Sequence, residues 1–123
     1  MPVRVVSFRV TAQPGRETPL GIAPPSEGIV LKDFTSGRRP LGNFPPSRVR
    51  LDVTVGGSVI VEIPPFFEYD ASGDLLFRFN THFTAGILVR GGERVFLYFD
   101  GPLPVEIGVG GLNQGPTLWP TWS

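Results

Sequence analysis

Apolar and polar residues alternate along most of this chain, and no window sustains a period of 3.6. Period-2 alternation rich in β-branched and aromatic side chains predicts half-buried strands, not amphipathic helices. The first strand is VRVVSFRVTA (3–12) and the second GIVLKDF (28–34). The stretches after each, 13–27 and 35–47, are rich in proline and glycine and read as long irregular loops. Two hairpins, a strand at 74–80 and a last strand LPVEIGV (103–109) complete the pattern.

The hairpins carry the most register information. In RVRLDVTVGGSVIVEI (48–63), a two-residue Gly-Gly turn alone splits the apolar set between two faces. A three-residue loop of Val55, Gly56 and Gly57 pairs Val53 with Val59, Leu51 with Val61 and Val49 with Ile63, and sets Arg50 opposite Glu62. In FTAGILVRGGERVFLYFD (83–100), a loop of Arg90, Gly91 and Gly92 pairs Ile87 with Val95, Ala85 with Leu97 and Phe83 with Phe99. That register also places Gly86 under Phe96. Between the hairpins, FFEY (66–69) and the turn DASG (70–73) precede the next strand. The expected fold is all-β: a single antiparallel sandwich or barrel of about eight strands. It has a β-domain at 1–109 with irregular loops at 13–27 and 35–47, and a C-terminal arm at 110–123.

Composition sharpens this picture by exclusion. Gly and Pro fill 30 of 123 positions, but they fall between apolar runs without a period, so they punctuate strands. Double prolines at 24–25, 45–46 and 64–65 belong at edges and sheet crossings, where no ladder donor is needed. With no cysteine, disulfide scaffolds, thiolate metal sites and cysteine nucleophiles drop out. Arg4 and Arg9 interrupt the N-terminus, so no signal-peptide core forms there, and no run reaches the roughly 20 apolar residues of a membrane helix. The expectation is a protein made in the cytoplasm without a membrane partner.

The net charge is zero but unevenly divided. Residues 1–50 hold eight basic and three acidic groups, and residues 51–123 hold three basic and eight acidic ones. Such asymmetry either marks an interaction surface or disappears in a fold that interleaves the halves. Arg38, Arg39, Arg48 and Arg50 follow one another with no acid between them, and Phe44 stands beside them for stacking. A phosphate-binding patch is one reading and an acidic protein partner another. The neutral total argues against nucleic acid, whose binders are strongly basic.

Candidate chemistry is sparse. His82 is the only histidine, which excludes multi-imidazole metal sites. No Gly-x-Ser-x-Gly turn presents a nucleophile to it. Asp70, Ser72 and Asp74 alternate as in a calcium loop, but the glycine and glutamate that an EF-hand requires are misplaced, so a β-turn is expected. Glu62, Glu68, Glu93 and Glu106 show no spacing that establishes a carboxylate pair for sugar hydrolysis. Phe77, Phe79 and Phe99 alternate with polar residues and belong in the core, whereas Phe96 and Tyr98 share the opposite face as a possible ligand platform. No catalytic residue, metal site or cofactor is expected.

The remaining feature is the end of the chain, GGLNQGPTLWPTWS. Residues 110–123 carry no charge, and both tryptophans fall in the last five positions with Leu118 beside them. Disordered tails are normally charged, and an exposed Trp-rich segment invites aggregation, so Leu118, Trp119 and Trp122 require a dry contact. Tryptophan is also the residue most enriched at interface hot spots. A short, cysteine-free, Pro/Gly-rich β-domain with irregular arms resembles the capsid decoration or cement proteins of tailed phages in composition and layout. That resemblance implies a non-enzymatic virion protein, a homo-oligomer (a trimer by preference), bound to a capsid shell through terminal arms. Leu118, Trp119, Trp122, Arg38, Arg39 and Phe44 then become the expected partner contacts. The other class of reading is a carbohydrate- or small-ligand-binding β-module that uses Phe96 and Tyr98.

Overall fold

The computed structural model describes residues 4–25 and 27–113. It is all-β, with eleven strands and one 3-10 turn (Pro46–Arg48) among the described residues. The strands are β1 (Arg4–Ala12), β2 (Arg16–Ile22), β3 (Ile29–Thr35), β4 (Arg39–Pro40), β5 (Arg50–Val55), β6 (Ser58–Ile63), β7 (Phe66–Tyr69), β8 (Leu75–Arg78), β9 (Asn80–Val89), β10 (Arg94–Asp100) and β11 (Val105–Asn113). Sheet A has the order β1-β11-β3-β9, sheet B the order β2-β10-β5-β6, and a small sheet C the order β4-β8-β7. All pairings are antiparallel and no sheet closes into a barrel, so the architecture is sandwich-like.

One core joins the sheets. Val95, Leu97 and Phe99 of β10 and Leu51 and Val53 of β5 are fully buried, as are Leu31 and Phe34 of β3 and Ile107 of β11. Phe77 and Phe79 meet edge to face at 6.0 Å, and Phe99 lies 6.3 and 6.1 Å from them. These rings fasten sheet C to the sandwich. Each fully buried side chain of this size contributes about 1.5–3 kcal/mol of transfer free energy.

Several expectations are corrected. Region 13–27 is not one irregular loop, because β2 runs through it. Pro19 is tolerated because β2 is an edge strand, and a bulge at Leu20 shifts the register between its pairings of Pro19 with Phe96 and Gly21 with Val95. Region 35–47 likewise contains β4. At the other end, residues 110–113 belong to β11 and not to an arm: Asn113 pairs with both Arg4 and Ile29.

The first hairpin keeps Leu51, Val53, Val61 and Ile63 on one side but pairs them differently from the expectation and turns Val59, expected opposite Val53, outward to 58% exposure. Val55 pairs with Ser58 across a two-residue turn whose Gly56 and Gly57 have φ of 60° and 87°. A primed hairpin turn needs positive φ at both central positions. The parity that this turn would spoil is restored by an extra residue, Ile60, between the pairs Val53–Val61 and Thr54–Val59. Leu51 therefore faces Ile63, Glu62 faces Asp52, and Arg50 lies opposite Asp100 instead of Glu62.

The second hairpin does not exist. β9 belongs to sheet A and β10 to sheet B, so residues 90–93 arch between sheets. The Arg90 N–H donates to the Glu93 carboxylate (2.8 Å), and the Gly92 N–H donates to the Ala23 carbonyl (2.8 Å), which ties the arch to the end of β2. Gly86 accordingly sits beside Val30 of β3, not under Phe96. Phe83 packs edge to face on Phe34 at 6.2 Å, not on Phe99.

Candidate functional site

The arginine segment is largely neutralised by folding. Arg38 pairs with Glu68 at 2.9 Å, Arg48 reaches Asp100 at 3.6 Å, and Arg50 holds Asp52 at 2.8 Å. Arg9 pairs with Glu106 at 3.1 Å in the same way. Each pair joins a base from the first half of the chain to an acid from the second, so the strand interleaving dissolves the charge asymmetry. Phe44 is not open for stacking: it packs against the core and carries the Arg48 guanidinium 4.9 Å above its ring. Arg39 is exposed on β4 and makes no ion pair among the described residues. Arg38 and Arg39 line a depression of about 440 Å³ with Thr11 and Glu106. The structure thus brings two of the expected contacts together and assigns the third, Phe44, to internal packing.

Phe96 and Tyr98 stand half-buried on the outer face of sheet B. The register places Tyr98 between Glu17 and Asp52, with Glu62 next in the row. The neighbouring row is Pro19, Phe96, Thr54 and Val59. Asp52 is only 2% exposed, and its Oδ1 has no hydrogen-bond partner while Oδ2 accepts from Arg50. Sequence reasoning did not single this acid out.

His82 Nδ1 lies 2.6 Å from Asp33 Oδ1 across the β3–β9 pairing. A carboxylate that orients an imidazole is one half of a nucleophile-activating arrangement. No hydroxyl among the described residues hydrogen-bonds this ring. Ser7 occupies the same outward row but lies beyond Gly110 and Asp33, on the side away from His82. The DASG segment is a turn: Asp70 Oδ1 accepts from the backbone N–H of Ser72 and of Asp74, each at 2.9 Å. The four glutamates stay apart in function, with Glu68 held by Arg38 and Arg78, Glu106 by Arg9 and Glu93 by the Arg90 backbone. Among the described residues no three His, Cys, Asp or Glu side chains gather as a metal site. No helix there is long and apolar enough to cross a membrane.

Leu118, Trp119 and Trp122 lie outside the described residues. Their point of departure does not: β11 ends at Asn113, which is fully buried and paired with Arg4 at one end of sheet A. Exposed apolar side chains form the surface feature that the sequence pattern hid. Val5, Leu88, Val59, Ile60, Phe66, Phe67 and Tyr69 are all more than 40% exposed. All but Tyr69, which stands between Glu68 and Asp70, are adjacent in sequence to other apolar residues, and a continuous apolar run conceals which member points outward. No protein-family model matches this chain, and no curated protein matches it significantly in sequence.

Proposed function

We propose that this chain is a non-enzymatic structural protein that assembles with itself and with a larger scaffold. The virion type fits its character best: a capsid decoration (cement) protein or a minor capsid or tail protein, homo-oligomeric with a trimer favoured. The observation that carries this reading is the junction at Asn113. A rigid, buried strand end hands over to an uncharged segment that bears Leu118 and both tryptophans of the chain. Such side chains contribute most when they are buried against a partner. The Arg38–Arg39 depression supplies a polar rim for the same kind of contact. Removal of residues 116–123 is expected to abolish assembly while the thermal unfolding transition stays within a few degrees of the full chain. Loss of the transition itself would instead make this segment part of the core and end the proposal.

A second reading, a carbohydrate- or small-ligand-binding module, is favoured by one observation, the row Glu17–Tyr98–Asp52–Glu62 beside Phe96. An aromatic face flanked by carboxylates matches the stacking and hydroxyl-donating chemistry of a sugar. Glycan-array binding that disappears in Tyr98→Ala would move this reading ahead. An array without signal removes it.

A further inference from the structure

The register of sheet A sorts its outward side chains into rows. At the end where β11 stops, one row runs Val5, Leu112, Val30, Leu88 across all four strands. Val5 is 82% and Leu88 54% exposed, and Leu112 and Val30 are half-buried between them. Toward the middle of the sheet the following register row is Ser7, Gly110, Asp33 and His82, reached on β3 and β9 across a bulge that takes in Lys32 and residues 83–86, so the apolar row gives way to polar groups on that side. It spans three strand spacings, about 14 Å. A four-residue apolar stripe that gives way to polar groups toward the middle of the sheet has the form of a contact site.

We infer that this row is the acceptor for the segment Leu118–Trp122 of a second copy of the chain, an inference that rests on the assembly reading above. Three features select this occupant. The segment is the one strongly apolar, uncharged stretch outside the described strands, and its chemistry matches the row. Its point of departure, Asn113, directly follows Leu112, a member of the row itself. Donor and acceptor therefore share one end of the sheet, and the copies of a closed symmetric oligomer can each pass the donor to a neighbour's acceptor. Finally, the ten residues after Asn113 reach up to roughly 33 Å when extended, more than the width of their own sheet.

The two tryptophans make the test direct, because indole fluorescence in this protein reports on that segment alone. Full-length protein, Val5→Asp and Leu88→Asp are compared across a dilution series by tryptophan emission and sedimentation velocity. Both substitutions are at exposed positions and should leave the far-UV circular dichroism intact; Val5→Thr and Leu88→Ser serve as milder versions. The expected result is a blue-shifted emission in the wild type that moves red as the oligomer dissociates. In each aspartate variant the association should weaken by roughly tenfold or more, with red emission throughout. Val59→Asp, on sheet B, should leave both readouts unchanged. If truncation at Gly115 dissociates the oligomer while Val5→Asp and Leu88→Asp do not, the acceptor lies elsewhere and this inference fails with the assembly reading intact. A wild-type monomer with blue-shifted emission at every concentration would place the segment on its own sheet and overturn both.

Discussion

Sheets A and B face one core but are built on different principles. In sheet B the central strands β10 and β5 present Val95, Leu97, Phe99, Leu51 and Val53 inward, and their cohesion is side-chain packing. In sheet A the central strand β11 is VEIGVGGLN, and its glycines let neighbouring backbones come close. A Cβ at Gly111 would lie 2.2 Å from the Val30 carbonyl oxygen. The outer faces differ as well: sheet B carries aromatics and carboxylates, and sheet A a glycine-floored surface with one apolar row at its end. Where large side chains do the packing, the strand is locked on both faces. On β11, Val105, Ile107 and Val109 reach the same core, but its outward positions include Gly108 and Gly110, so the outer face there stays low and is open to another chain.

Breaking sheet B should have the largest effect. Phe99→Ala removes the ring that meets both Phe77 and Phe79, and a loss of about 3–5 kcal/mol is expected in urea unfolding. Gly111→Ala attacks sheet A and should cost about 1–3 kcal/mol or somewhat more, since backbone has to move to admit the methyl group. Hydrogen exchange sharpens the contrast: in Gly111→Ala, protection should fall in β3 and β11 before β5 and β10. Equal loss in both sheets would mean that the two do not differ in the way described. The smallest effect belongs to Arg9→Ala. Its pair with Glu106 is 77% and 60% exposed, so the change should stay within about 1 kcal/mol and vanish in high salt.

The same contrast explains what could be read from the sequence. In sheet B, Leu51 and Val53 alternate with Asp52 and Thr54, and Val95, Leu97 and Phe99 alternate with the outward Phe96 and Tyr98, so their burial follows from period 2. The all-β class and the aromatic core were legible for that reason. Two things were not. Alternation says which way a side chain points relative to the core, but not which sheet its strand joins. Ile87 and Val89 point inward equally well in a hairpin or in an arch, and the arch is fixed by long-range partners: β3 for β9, and Ala23 for the turn. In the first hairpin the inward direction of Leu51, Val53, Val61 and Ile63 was legible, but the bulge at Ile60 was not, and with it went the pairing and the outward turn of Val59.

The candidate surfaces divide similarly. The outward position of Tyr98 follows from strand pattern, whereas Arg39 lies on a strand read as loop and the Arg38–Glu68 pair joins residues with no shared local pattern. The acceptor row was hidden because Val5, Val30 and Leu88 each sit within apolar runs (Val5–Val6, Ile29–Leu31, Ile87–Val89). Only the cross-strand register separates the outward member from its buried neighbours, such as Val6, Leu31 and Val89.

The central claim is that this β-domain assembles through its C-terminal segment. It is tested most directly by static light scattering on the full chain and on the chain ending at Gly115, at matched concentrations. The account predicts an oligomer for the full chain and a folded monomer for the shortened one. A full chain that is strictly monomeric and binds no large partner, or an oligomer that survives the truncation, would contradict it.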